Sequence, residues 1–293
     1  MSAFIKKILW ATDFSDEAQE ALVYADAFAK AFKARLIALH VAPDFSPALY
    51  DMASVVRGEL AERVASIKRE AKRKLEKLSK AKGISFDMVV EEGTASKTII
   101  QVAEKKKVDL IVMGKRGHSV IEKIFIGSVA NQILRNSSVP ILMTKKKRGK
   151  PRFRKILVPT DFSEQEERER DYAWKLAQGL DVSEMTLLHI LELHDYEFSP
   201  KALDEVFDSV LKRLKKRKKR EKEDIKVTEQ VDRAVNASIG IVDYAETHHY
   251  DLIVMSTCTQ SRWERFFLGS TTEKVIAHSH IPIFAIPPSQ CAR

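Results

Sequence analysis

Lys7-Ile8-Leu9-Trp10-Ala11-Thr12-Asp13-Phe14-Ser15 returns as Lys155-Ile156-Leu157-Val158-Pro159-Thr160-Asp161-Phe162-Ser163, displaced by 148 positions with seven of nine residues identical. A match that long within one chain means that one structural unit is written twice. Further out, Asp109-Leu110-Ile111-Val112-Met113 recurs as Asp251-Leu252-Ile253-Val254-Met255 and Gly127-Ser128 as Gly269-Ser270, both displaced by 142. Each copy alternates short β-branched apolar runs with longer amphipathic stretches, the pattern of βα units that feed a parallel sheet. Five strands fit each copy, at residues 5–11, 36–41, 84–90, 109–113 and 140–144, then 154–158, 185–190, 225–231, 251–255 and 282–286. Ser15 is placed to cap the first helix with Asp16 and Glu17 in its opening turn, Gly83 closes the second, and the third begins near Thr94 or Ser96. The copies occupy residues 1–146 and 152–288, with a polar connection at 147–151 that carries Gly149 and Pro151.

After the strand 109–113 come Gly114-Lys115-Arg116-Gly117, nine further residues, and then Gly127-Ser128. Glycines where a strand ends let the backbone take positive φ and approach a ligand closely. Gly127-Ser128 is positioned to open the next helix, whose unpaired N–H groups and partial positive charge suit a phosphate. Lys115 and Arg116 either touch that phosphate or point into water. Thr12-Asp13 ends the first strand, at the same carboxyl edge as Gly114, where open α/β sheets bind ligands and an acidic residue accepts a ribose hydroxyl. The plainer role for Asp13 is to precede and cap the helix starting at Ser15; the glycine loop beside it favours the ligand role.

Together, Thr12-Asp13, the spacing Gly114-x2-Gly117-x9-Gly127-Ser128 and the closing strand Val139-Pro140-Ile141-Leu142-Met143 resemble the universal stress protein family, UspA-like and of the ATP-binding type, once in each half. The resemblance implies an α/β fold of two tandem Rossmann-like domains, of the adenine nucleotide alpha hydrolase-like kind. Each would be a five-stranded parallel sheet of order 3-2-1-4-5 with helices on both faces. It implies ATP, or ADP or AMP, as the ligand, with Mg2+ as a candidate companion. The implied nucleotide-binding set is Thr12, Asp13, Val41, Gly114, Gly117, Gly127, Ser128 and Val129, with the backbone of Val41 meeting adenine. The expected function is a non-enzymatic, nucleotide-dependent stress-response regulator with unidentified protein partners. The alternatives are a slow ATPase or phosphotransferase, and a nucleotide-free scaffold. The second copy carries Ser256 and Thr259 where the first has Gly114 and Gly117, and Thr259 is expected to intrude, so one competent site is expected, in the first copy. The apolar edge strands 141–143 and 283–286 are expected to pair within one chain, and association of whole chains stays open.

A net charge of +9 attracts polyanions without choosing among them. The runs Lys145–Arg148 and Lys212–Arg220 read as solvated surface, and no interleaved aromatic pattern supports nucleic-acid binding. No apolar run approaches the roughly 18 residues of a membrane span, and the stretch after Met1 lacks a signal-peptide core. Two cysteines, Cys258 and Cys291, without metal-ligand spacing, point to a reducing cytoplasm. Gly93–Thr98 fails the Walker spacing, no GxGxxG or GxSxG is present, and no catalytic residue stands out. His40, His189, His194, His248, His249, His278 and His280 lack a metal-ligand pattern and default to structural or surface roles.

Overall fold

The computed structural model describes residues 4–44, 54–117, 126–145, 151–162, 166–193, 199–215, 225–257 and 269–287. Cys258, Thr259, Cys291 and most of the connection 147–151 lie outside the described residues. The first half runs β1 (Lys7–Ala11), α1 (Asp16–Phe32), β2 (Arg35–Ala42), α2 (Ser54–Lys82), β3 (Asp87–Glu92), α3 (Ala95–Lys106), β4 (Leu110–Gly114), α4 (Ser128–Asn136) and β5 (Ile141–Thr144). The second runs β6 (Lys155–Pro159), α5 (Glu166–Gly179), β7 (Glu184–Glu192), α6 (Pro200–Lys215), β8 (Lys226–Ala234), α7 (Ala237–Thr247), β9 (Leu252–Ser256), α8 (Ser270–His278) and β10 (Ile283–Ile286).

Each half contributes five strands in the order 3-2-1-4-5, and the expected pairing of the edge strands joins them into one ten-stranded sheet, β3-β2-β1-β4-β5-β10-β9-β6-β7-β8. Strands within each half are parallel, and the halves join antiparallel at β5 and β10, where Ile141, Leu142 and Met143 lie opposite Ala285, Phe284 and Ile283. Apolar strand edges left in water invite association, and here each covers the other. The third strand begins at Asp87, later than the sequence suggests. Gly83 turns left-handed with φ 64° to end α2, and Ser79 and Ile84 exchange hydrogen bonds across that turn, which keeps residues 84–86 out of the ladder.

Successive strand residues face opposite sides, so Ile8 and Trp10 enter one core while Leu9 and Ala11 enter the other. The first core is covered by α1, α2 and α5, and the second by α3, α4, α7 and α8. The duplicated lysine and aspartate also have structural work. Asp109 accepts the backbone N–H groups of Lys6 (2.8 Å) and Lys7 (2.9 Å), and Asp251 does the same for Arg154 (2.8 Å) and Lys155 (3.1 Å). Lys7 Nζ donates to the carbonyl of Lys106 at the end of α3 (2.9 Å), and Lys155 Nζ to that of His248 after α7 (3.3 Å), satisfying carbonyls that a helix end leaves open. These residues align the starts of the central strands. The carboxyl ends therefore open together on the opposite edge.

Candidate functional site

Strand β1 lies between β2 and β4, so the order reverses at β1 and a cleft opens beyond its carboxyl end. A crevice of about 150 Å³ there is lined by Thr12, Asp13, Val41, Gly114, Gly117, Gly127, Ser128 and Val129. Every residue nominated from the sequence thus reaches one place, joined by His40 from β2 and Ala95 and Ile99 from α3.

Asp13 divides its carboxylate between two tasks. Oδ1 accepts the N–H of Ser15 at 3.0 Å, while Ser15 Oγ caps α1 by accepting the N–H of Ala18 at 3.2 Å. The capping role therefore describes one oxygen. The other, Oδ2, faces Gly117 so closely that a Cβ placed there would stand 2.3 Å from it. The loop glycines differ from expectation in their reason. None of Gly114, Gly117 and Gly127 takes positive φ; among the described glycines only Gly83 and Gly93 do. What Gly117 supplies is room beside Asp13, and what Gly114 supplies is room for α1, since a Cβ on it would lie 3.0 Å from the backbone carbon and Cβ of Glu17.

Helix α4 begins at the crevice with Gly127 as its N-cap, which offers no side-chain acceptor to the opening N–H groups. Helix α3 likewise starts at Thr94 without a side-chain cap bond. Two helix starts facing one crevice place partial positive charge there.

The two cations of the loop also line the crevice, and their charged ends are engaged by protein groups. Lys115 is 2% exposed and its Nζ donates to the carbonyl of Ser279 in the second half. Burial, reinforced by the like charge of Lys145, pushes its ammonium down from the usual 10.5 to about 7. Arg116 pairs with Glu17, Nη2 to Oε1 at 2.8 Å, while its backbone N–H donates to Glu17 Oε2 at 3.0 Å. Glu17, read from sequence only as a first-turn acid, holds the loop to α1.

The second half has a crevice at the corresponding edge, lined by Thr160, Asp161, His189, Ile190, Ser256, Gly269 and Ser270, with Glu169 and Glu192. Its volume is about 590 Å³, against about 150 Å³ for the first; Thr259, expected to intrude, lies outside the described residues. Among the described residues three carboxylates line it, and Glu192 Oε1 accepts the N–H of Ala237, tying an acidic side chain to the start of α7. Asn236 caps the same helix through the N–H of Ile239 at 3.0 Å.

A family model described as the universal stress protein family matches residues 5–145 and again 152–287. The chain belongs to the universal stress protein family. Universal stress protein MJ0531 of Methanocaldococcus jannaschii is 37% identical over 141 residues, which are 48% of this chain and 82% of that protein. MJ0577 of the same organism is 31% identical over 160 residues, 50% of this chain and 99% of that one. The crystal structure of a universal stress protein from Archaeoglobus fulgidus superimposes with a TM-score of 0.69 at 24% identity, covering 98% of this chain and 99% of that chain, which shows the shared tandem fold. In this family member, no described helix is long and apolar enough to cross a membrane. No group of three or more His, Cys, Asp or Glu gathers among its described residues to hold a metal. The histidines His40 and His189, set aside on spacing alone, both line crevices. The available signal was their register, a Leu-His pair near the end of the second strand in both copies.

Proposed function

We propose that this universal stress protein is a non-enzymatic, ATP-binding stress-response regulator of the cytoplasm, with one competent site in the domain 1–146 and a second domain, 152–288, that does not take ATP. The observation that carries the reading is the convergence of Asp13 Oδ2, Gly117 and the Gly127 start of α4 on one crevice. In that arrangement Asp13 is the acceptor for ribose hydroxyls. The N–H groups at Ser128 and Val129 meet phosphate, each such helix-terminal interaction contributing about 0.3–1 kcal/mol in exposed settings. Val41 lies at the end of β2 on the same crevice, where its backbone can meet the base. Mg2+, where present, would travel with the phosphates. The restriction to one site is supported by the three carboxylates among the described lining of the second crevice, which oppose a triphosphate, and by Thr259 standing in the sequence where the first copy has Gly117.

Calorimetric titration of the whole chain with ATP tests this. The expected result is about one ATP per chain, lost in Gly117→Val with the fold retained and unchanged in Asp161→Ala. Two equal sites, or tight binding that depends on Asp161, would overturn the single-site reading; no uptake of ATP, ADP or AMP would favour the scaffold. Repeated ADP release in the presence of magnesium would favour the slow ATPase.

A further inference from the structure

We infer that His40 is a positioning residue of the first crevice: through Thr12 and Phe14 it sets the turn that aims Asp13 at Gly117. This rests on the nucleotide reading of that crevice. The turn from Thr12 to Ser15 leaves β1 with an L-residue in the left-handed region, Phe14 at φ 67°. An aromatic residue holds that conformation only where its surroundings over-determine it. They do so here bond by bond. The N–H of Thr12 donates to Leu39 O at 2.9 Å, and the N–H of Phe14 donates to Thr12 Oγ1 at 3.0 Å. Ser15 N–H holds Asp13 Oδ1. The carbonyl of Thr12 meets His40 Nδ1 at 2.8 Å, and because a carbonyl only accepts, the imidazole carries its proton on Nδ1. The same ring packs against Phe14 with centroids 4.6 Å apart, so one side chain fixes both the residue before Asp13 and the residue after it.

The second half repeats the device. Phe162 takes φ 61°, its N–H donates to Thr160 Oγ1 at 3.2 Å, His189 Nδ1 meets Thr160 O at 2.8 Å, and the two rings lie 4.5 Å apart. A cation stands over each phenylalanine, Lys74 from α2 at 5.5 Å and Arg213 from α6 at 4.4 Å. The recurrence of one strained turn with one histidine, in halves whose crevices otherwise differ in size and charge, ties His40 to the turn itself. The consequence for binding follows from the close approach of Asp13 Oδ2 to Gly117: a small rotation of the turn moves that oxygen out of the place it occupies or into the loop.

The test uses the full chain, ATP titration and thermal melting with three variants. His40→Phe keeps a ring against Phe14 and removes the Nδ1 donor; ATP affinity is expected to fall about tenfold, the scale of one lost hydrogen bond. His40→Asn returns an N–H donor at the Nδ1 position and is expected to recover most of that loss. His189→Phe carries the same structural change in the other half and is expected to leave ATP affinity within twofold of wild type. A wild-type chain that takes up no ATP overturns the nucleotide reading and this inference with it. A wild type that binds while His40→Phe binds equally well overturns the inference alone, as does an equal loss in His189→Phe, which would mark the effect as general destabilisation. Should His40→Phe fail to fold, His40→Asn decides by itself: affinity tenfold below wild type overturns the role assigned to the Nδ1 donor, and near-wild-type affinity upholds it.

Discussion

Gly114 and Gly117 stand three positions apart in one loop and are glycine for different reasons. At Gly114 an added Cβ would meet the backbone carbon of Glu17 at 3.0 Å, and main chain inside a packed helix cannot swing aside. At Gly117 the added Cβ would meet a carboxylate oxygen of Asp13, a side chain that can move but whose position defines the crevice. The two substitutions should therefore separate stability from binding. Gly114→Ala is expected to destabilise the chain by about 1–3 kcal/mol, the range for forcing an extra carbon into a packed site. Urea denaturation measures it, and the surviving folded fraction should still bind ATP. Gly117→Val is expected to melt close to wild type and to bind no ATP. Equal losses of stability in both would mean that the Asp13 contact is packing and nothing more.

At the scale of elements, Lys115 joins the end of β4 to the residue that ends α8, Ser279, and so locks a loop of the first crevice to a helix of the second half. Helices α4 and α8 are tied across the same boundary, where Glu273 accepts from Asn131 (3.3 Å) and Arg135 (3.0 Å). A buried ammonium makes this joint sensitive to pH. Its folded pKa, about 7, lies below the ordinary 10.5, so below pH 7 both the folded and unfolded chains carry the proton and the cost of burying the charge is fully present. As pH rises from 7 towards 10.5 the folded chain releases the proton first, and stability from this group increases. Denaturation of wild type and Lys115→Met between pH 6 and about 10 isolates the contribution: the difference between them is expected to shift in favour of wild type as pH rises. A difference that does not change with pH would mean that Lys115 stays charged when folded.

The whole molecule is held by the pairing of β5 with β10 and by aromatic contacts that cross from one half to the other. Phe28 of α1 lies 5.1 Å, centroid to centroid, from Phe153, which leads into β6, and 6.4 Å from Phe284 of β10; Phe4 lies 5.1 Å from Tyr172 of α5. Gly179 at the end of α5 sits so close to Phe32 that a Cβ would collide with the ring. Separating the halves would bare an apolar strand edge and this aromatic cluster on each. Chains 1–146 and 152–288 expressed apart are expected to aggregate alone and to form a one-to-one complex when mixed, as read by size-exclusion chromatography with light scattering. Halves that stay monomeric and soluble, alone and together, would show that the antiparallel joint adds little. The outer strands of the sheet are less inviting to a further copy, since β3 carries Asp87, Glu91 and Glu92 and β8 carries Lys226, Glu229, Asp232 and Arg233.

The sequence by itself determined the duplication, the α/β class, most strand positions and the residues that meet at the first crevice. All of these are written in local spacing: Thr12-Asp13 must end a strand, Gly127-Ser128 must open a helix, and parallel βα units bring those ends to one edge. The start of β3 was misplaced because the turn at Gly83 continues for three apolar or polar residues that read like strand. Only the tertiary structure decided where Lys115 points, why Gly114 is glycine, that His40 closes the Asp13 turn, and that Asp161, Glu169 and Glu192 share the second crevice. Each depends on a contact between residues far apart in the chain, 164 positions for Lys115 and Ser279 and 99 for Arg116 and Glu17. No local pattern encodes such a contact, because its energy exists only once packing has brought the two groups together and taken them out of water.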